Sequence, residues 1–189
     1  MECIINEIFI SMQVSRYLVK SFRQAKSKKN NLADSVQYLA SSKLEKRQPI
    51  DLNSTQSIVD QFRQVAFGQV QEAVQSLDQW IATGGKKPEE DAWNNASVEL
   101  ASASLAHLRY FVINVNADNL TNGLITISKS LKNVLLDLFE MLAFTWIQQN
   151  FGDFLRHSGL QVRYFYELRN HYELAKKMYR ISRKFQTLL

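Results

Sequence analysis

The sequence predicts an all-α fold, a helical bundle of five to six helices. Three observations carry that expectation. Only two prolines and six glycines punctuate 189 residues, fewer than the turns of a sheet-rich fold require. Apolar residues recur at three- and four-residue spacing through most of the chain, the period of a helix with one buried face. Starting and stopping residues fall between those stretches, and short connectors between long helices favour antiparallel bundles.

The first helix is expected from Glu7 to Ala25. Ile8, Met12, Ser15, Val19 and Phe22 form its stripe, widened by Ile10, Val14 and Leu18. Arg16, Lys20 and Arg23 lie toward the other side. Lys26 to Asn31 reads as a solvated end, with cations where a helix C-terminus favours them. A short helix follows from Ala33 to Leu44, buried through Val36, Leu39 and Leu44. The connector Lys46 to Asn53 contains Pro49, and Asn53 or Ser54 can cap the next helix. That helix runs to about Ala82, with Phe62, Val65, Ala66, Val70, Val74, Leu77 and Ile81 as its apolar face. Thr83-Gly84-Gly85 stops it, because glycine tolerates the left-handed conformation found there.

Pro88, Glu89 and Glu90 suit a helix start. A packed helix is expected from Asp91 to Val115, with Ser97, Ala101, Ser104 and Ala106 as a small face and Leu100, Leu105, Leu108, Phe111 and Val112 as bulk. Asp118 or Thr121 begins another segment. Its strongest part, Leu131 to Ile147, is apolar on nearly every side, the pattern of a central helix. Asn150 to Gly159 reads as a turn region, with Asp153 as a cap at a short helical turn within it. A last helix spans Leu160 to Phe185, with many cations.

Composition excludes several functions. The balance of 46% apolar and 22% charged residues is that of a globular domain, not a disordered chain. The net charge of +5 gathers at Lys20–Lys29, Lys43–Arg47 and Arg156–Lys184. No nucleic acid is expected, since there is no helix-turn-helix, zinc-finger spacing or glycine-arginine tract. No transmembrane segment is expected: Ile4–Met12 is too short, and Lys132, Asp137 and Glu140 interrupt the most apolar helix. A single cysteine, Cys3, can form no internal disulfide and fits a reducing compartment.

No residue set announces chemistry by spacing alone. His107, His157 and His171 make no metal-binding pair, and no metal is expected. The serines lack a nucleophile elbow. Gly84-Gly85-Lys86-Lys87 lacks phosphate-loop spacing and a preceding strand. Trp93 and Trp146 read as core. His107 reads as a core histidine held by one hydrogen bond, with a ligand-pocket role as the alternative. Arg156 and Arg163 read as part of a solvated basic face, with a nucleotide-facing role as the alternative.

Three stretches resemble the C-terminal half of peroxisomal acyl-CoA oxidases. Met12 to Ala25, with Gln13, Arg16, Leu18 and Lys20, resembles the family helix after the catalytic segment, and Ser35–Leu39 the next hydrophobic step. Ala92-Trp93-Asn94, with Ser97 to Leu100, Ala103, Ser104, Ala106, His107 and Tyr110, resembles a second family helix. Leu131 to Trp146 and Gly152-Asp153-Phe154-Leu155 resemble the central helix and its terminal turn. The likeness covers residues 12–155.

The resemblance implies a fold like the C-terminal domains of acyl-CoA oxidases and acyl-CoA dehydrogenase-like proteins. Residues 1–30 would be the helix after the catalytic segment, and 31–189 the helical domain. Such oxidases convert fatty acyl-CoA to trans-2-enoyl-CoA, with FAD taking the hydride and oxygen forming hydrogen peroxide. The family's catalytic glutamate position falls on Ile4, and the neighbouring carboxylates are Glu2 and Glu7, read as surface or cap residues. His107, Arg156 and Arg163 are the candidates for cofactor contact. The chain alone is expected to be inactive and not to hold FAD by itself. Fatty acyl-CoA, a second copy or an oxidase subunit would be its partners, and a non-catalytic interaction protein is the second reading. Peroxisomal location follows from the family, but Gln186-Thr-Leu-Leu189 is not a Ser-Lys-Leu-like import signal, so a cytoplasmic location is the alternative.

Overall fold

Helix α1 covers Glu2–Lys26, starting earlier than the apolar stripe alone predicts. The computed structural model describes residues 2–27, 32–41, 50–84, 88–123, 128–164 and 166, with side chains described from residue 12 onward. The expected anchor Leu44, the part of the connector up to Pro49 and all but the first residues of the last expected helix lie outside them. The short helix expected from Ala33 to Leu44 forms as a 3-10 helix, Asp34–Ala40, with Val36, Tyr38 and Leu39 buried. Then come α2 (Thr55–Thr83), α3 (Pro88–Asn95), α4 (Ser97–Asn122), α5 (Lys129–Gln149) and α6 (Phe151–His157). No strand element forms among the described residues.

Local chemistry sets the ends. The Ser54 hydroxyl accepts from the Ser57 N–H at 3.2 Å, the cap that the sequence offers. Ahead of it, the Asn53 N–H donates to Asp51 Oδ1 at 3.0 Å, a compact turn that lets Ile50 and Leu52 point into the core. Gly84 closes α2 with φ +75°. The Ser128 hydroxyl accepts from the Leu131 N–H and so caps α5.

Three boundaries and one burial pattern differ from expectation. The helix expected from Asp91 to Val115 bends at Ala96, yet its hydrogen bonds run on: the Ala96 N–H reaches the Ala92 carbonyl and the Leu100 N–H reaches that of Ala96. Asp118 and Thr121 do not begin a segment, because α4 continues through both. Within Asn150 to Gly159 the short helical turn is α6, but Asn150, not Asp153, stands at the cap position and Asp153 lies in the first turn. The most enclosed helix is α2, not α5. Ile58, Val59, Gln61, Phe62, Gln64, Val65, Ala66 and Phe67 are all buried, whereas Leu131, Val134 and Leu135 at the start of α5 are exposed.

The chain divides into two compact units, residues 1–47 with 63–111, and residues 48–62 with 112–189. In the first unit α1 packs on the 3-10 helix. Leu18, Phe22, Val36, Leu39, Val70 and Leu77 form its core, and the Phe22 and Phe67 rings meet at 6.0 Å. In the second unit α5 packs on α6. Phe62 meets Phe154 edge-on at 4.9 Å and Trp146 at 6.4 Å. There the Gly159 N–H donates to Gln61 Oε1 at 3.0 Å, which compensates a buried amide.

Candidate functional site

Two features of the first unit hold the polar groups that could carry function. One is a buried aromatic cluster. His107 sits on α4 and is only 6% exposed. Its Nδ1 lies 3.1 Å from the Tyr38 hydroxyl, and the two rings stack at 5.9 Å. Tyr110, one turn along α4, meets Tyr38 edge-on at 4.9 Å. Burial holds the His107 pKa down to about 4, because an imidazolium there loses its water. Burial raises Tyr38 well above the usual phenol range, and Tyr110 adds to that. Burial also raises Tyr110, with the Arg63 charge opposing. At neutral pH the three rings are therefore uncharged. The cluster clamps the 3-10 helix onto α4 and matches the one-hydrogen-bond environment expected for His107.

The other feature is an open cleft of about 470 Å³ along α1, lined by Arg16, Val19, Lys20, Arg23, Gln24, Ser27 and Trp93. Leu18 and Phe22 are buried on the inner face of α1, Val19 lies at its edge toward the cleft, and Arg16, Lys20 and Arg23 stand on the side that lines it. The Arg16 guanidinium lies 5.8 Å from the Trp93 ring centre, within cation–π range. Arg23 pairs with Asp78 across exposed surface. Five of the seven lining residues are polar or charged, a lining that suits an anion.

The other candidates fall as follows. Glu2, Ile4 and Glu7 lie in the first turns of α1. Arg156 is exposed in the last turn of α6. Arg163 is exposed, donates to the Tyr164 hydroxyl at 3.1 Å and lies over that ring at 4.9 Å. Both arginines belong to the second unit and His107 to the first. Among the described residues no group of three or more His, Cys, Asp or Glu side chains could hold a metal ion, and no helix is long and apolar enough to cross a membrane. Arg16, Lys20 and Arg23 stand on the outward face expected for them, whereas Trp93, expected in the core, is half-buried and lines the cleft. The cation spacing of four and then three residues was the available signal.

Residues 54–180 match the acyl-CoA oxidase family model. Human peroxisomal acyl-coenzyme A oxidase 1 is 31% identical over 156 residues, 78% of this chain and 23% of the human protein. Among solved structures, the tomato acyl-CoA oxidase superposes with a TM-score of 0.79 at 16% identity, covering 90% of this chain and 26% of that one. A Caenorhabditis elegans acyl-CoA oxidase-2 bound with FAD, ascaroside-CoA and ATP gives a TM-score of 0.78 at 26% identity, over 90% of this chain and 24% of that one. The chain thus spans under a quarter of the human relative.

Proposed function

Because the chain belongs to the acyl-CoA oxidase family, we propose that it is the C-terminal helical portion of such an oxidase. Residues 1–30 would follow the catalytic segment and 31–189 would form the helical domain. In that setting it contributes to FAD-dependent oxidation of fatty acyl-CoA to the trans-2-enoyl-CoA, with oxygen reduced to hydrogen peroxide. The single observation that supports this reading most is the family match over residues 54–180. Peroxisomal location is part of the same reading.

FAD supplies the hydride acceptor when bound. The open cleft with its three cations does not enclose a tricyclic ring, so no redox step is assigned to those residues. His107 acts by positioning α4, and Arg156 and Arg163 remain the proposed phosphate-facing candidates of the second unit. This stretch by itself turns over no substrate, because catalysis needs a base and a flavin held in register on the two sides of the acyl chain. The test is the visible spectrum of the purified 189-residue chain after excess FAD and desalting. A colourless folded protein is expected. A stoichiometric flavin band together with peroxide formation from acyl-CoA would overturn the inactivity of this stretch.

A second reading, a non-catalytic helical protein that pairs with oxidase subunits, is favoured by one observation. Leu105, Leu108, Phe111, Val112 and Val115 stand exposed on α4, at the spacing of one helix face. Apolar stripes of this kind mark interaction surfaces. Co-sedimentation with a full-length oxidase should be lost in Leu108→Asp with Val112→Asp; retained binding would sink this reading.

A further inference from the structure

We infer that the cleft along α1 is an anion site that takes a polyphosphate chain, with Arg16, Lys20 and Arg23 as its cationic wall. Several observations converge. Arg16, Lys20 and Arg23 all line one cleft at positions i, i+4 and i+7 of α1. Along a helix axis those steps span roughly 10 Å, too far for one phosphate to meet all three heads and suitable for two or three linked phosphates.

The two guanidinium groups are held in place before any ligand arrives. Arg16 rests over the Trp93 ring, and Arg23 is tethered to Asp78. Such anchoring lowers the ordering cost of binding. Lys20 stands between them with no ion-pair partner among the described residues. Asp78 cancels one charge, so the three cations leave a local surplus of two. Ser27 already donates to the Gln24 carbonyl at 2.9 Å, so the Gln24 amide is the further donor available. The cleft volume suits one small ligand, not a nucleic-acid track. Guanidinium forks and an ammonium are the groups that recognise phosphate oxygens.

The linked phosphates can come from a nucleoside triphosphate or from the pyrophosphate of coenzyme A. The first probe is inorganic triphosphate, titrated calorimetrically into the 189-residue chain at low ionic strength, with the Trp93 indole N–H followed by NMR. A saturable one-to-one isotherm and a shift of the Trp93 signal are expected. Lys20→Gln and Arg16→Gln should each weaken binding roughly tenfold, while Lys20→Arg keeps it. Lys132→Gln, the same charge change outside the cleft, should leave it unchanged. Equal weakening by Lys132→Gln, or no saturable binding, would overturn the site. All four variants alter exposed side chains, so an unchanged circular dichroism spectrum checks the fold. A nucleoside triphosphate and coenzyme A are then compared under the same conditions. Tighter binding of either, lost in Lys20→Gln, names the source and supports the site. Binding of either that ignores Lys20→Gln places that ligand elsewhere and counts against it.

Discussion

The hydroxyls of Ser15 on α1 and Ser104 on α4 lie 2.8 Å apart, and both reach the Leu100 carbonyl, at 3.1 and 2.9 Å. Two hydroxyl protons serve three close contacts, so one serine donates to the other and that one donates to the carbonyl. Both side chains are buried. Small polar residues therefore bring the two helices of the first unit together and satisfy each other there.

Two substitutions test this seam. Ser104→Ala should cost about 1 kcal/mol, since Ser15 keeps its bond to Leu100. Ser104→Leu should cost more, about 1–3 kcal/mol or above, because extra carbons have no space between closely approaching helices. Urea unfolding curves check both, and equal midpoints for the two variants would contradict the close approach.

The His107 environment predicts a pH dependence. Unfolded, the imidazole titrates near its ordinary 6.5; folded, burial holds it near 4. Between those values the unfolded chain binds the additional proton. Stability from this group is therefore full above about pH 6.5, falls as pH drops toward 4, and changes no further below that. The loss is on the order of 3 kcal/mol. His107→Gln should flatten this part of the stability profile between pH 4 and 6.5. An unchanged slope in the variant would assign the effect to other groups.

The edge-on pair of Phe62 and Phe154 anchors the second unit. Both rings are almost fully buried, at 2% and 1% exposure. Phe154→Ala should cost about 3–5 kcal/mol, whereas Phe154→Leu keeps most of the volume and should cost clearly less. Thermal unfolding read by near-ultraviolet dichroism gives the comparison. A loss under about 1 kcal/mol for the alanine variant would show that α6 contributes little to this core.

Gly84 offers a test free of packing. Its φ is +75°, and a Cβ added there would meet nothing within 4 Å. Gly84→Ala should therefore lose about 1–2 kcal/mol from backbone conformation alone, and Gly84→Asn should recover part of it. If alanine proves neutral, the end of α2 must relax to another conformation.

What the sequence determined by itself was local. The Ser54 cap, the Gly84 stop, the Pro88 start and the helical period are written in residues that act within one turn, so the existence of the helices and these boundaries are legible in the sequence. The motif order from Met12 to Leu155 was legible as well, and the family match bears out that resemblance. Tertiary structure decided which faces are covered. Apolar residues occupy both sides of α4, and only packing selects Ala103, Ser104, His107 and Ile113 for burial while leaving Leu105, Leu108 and Phe111 exposed. The glutamines of α2 made it look less apolar than α5, yet Gln61 is buried because Gly159, 98 residues away, supplies a hydrogen bond. The cleft arises the same way, since Trp93 comes to the cations of α1 only through folding. Periodicity reports that a face can be buried; which partner covers it, and what stands across from a charge, depends on contacts between residues far apart in the chain.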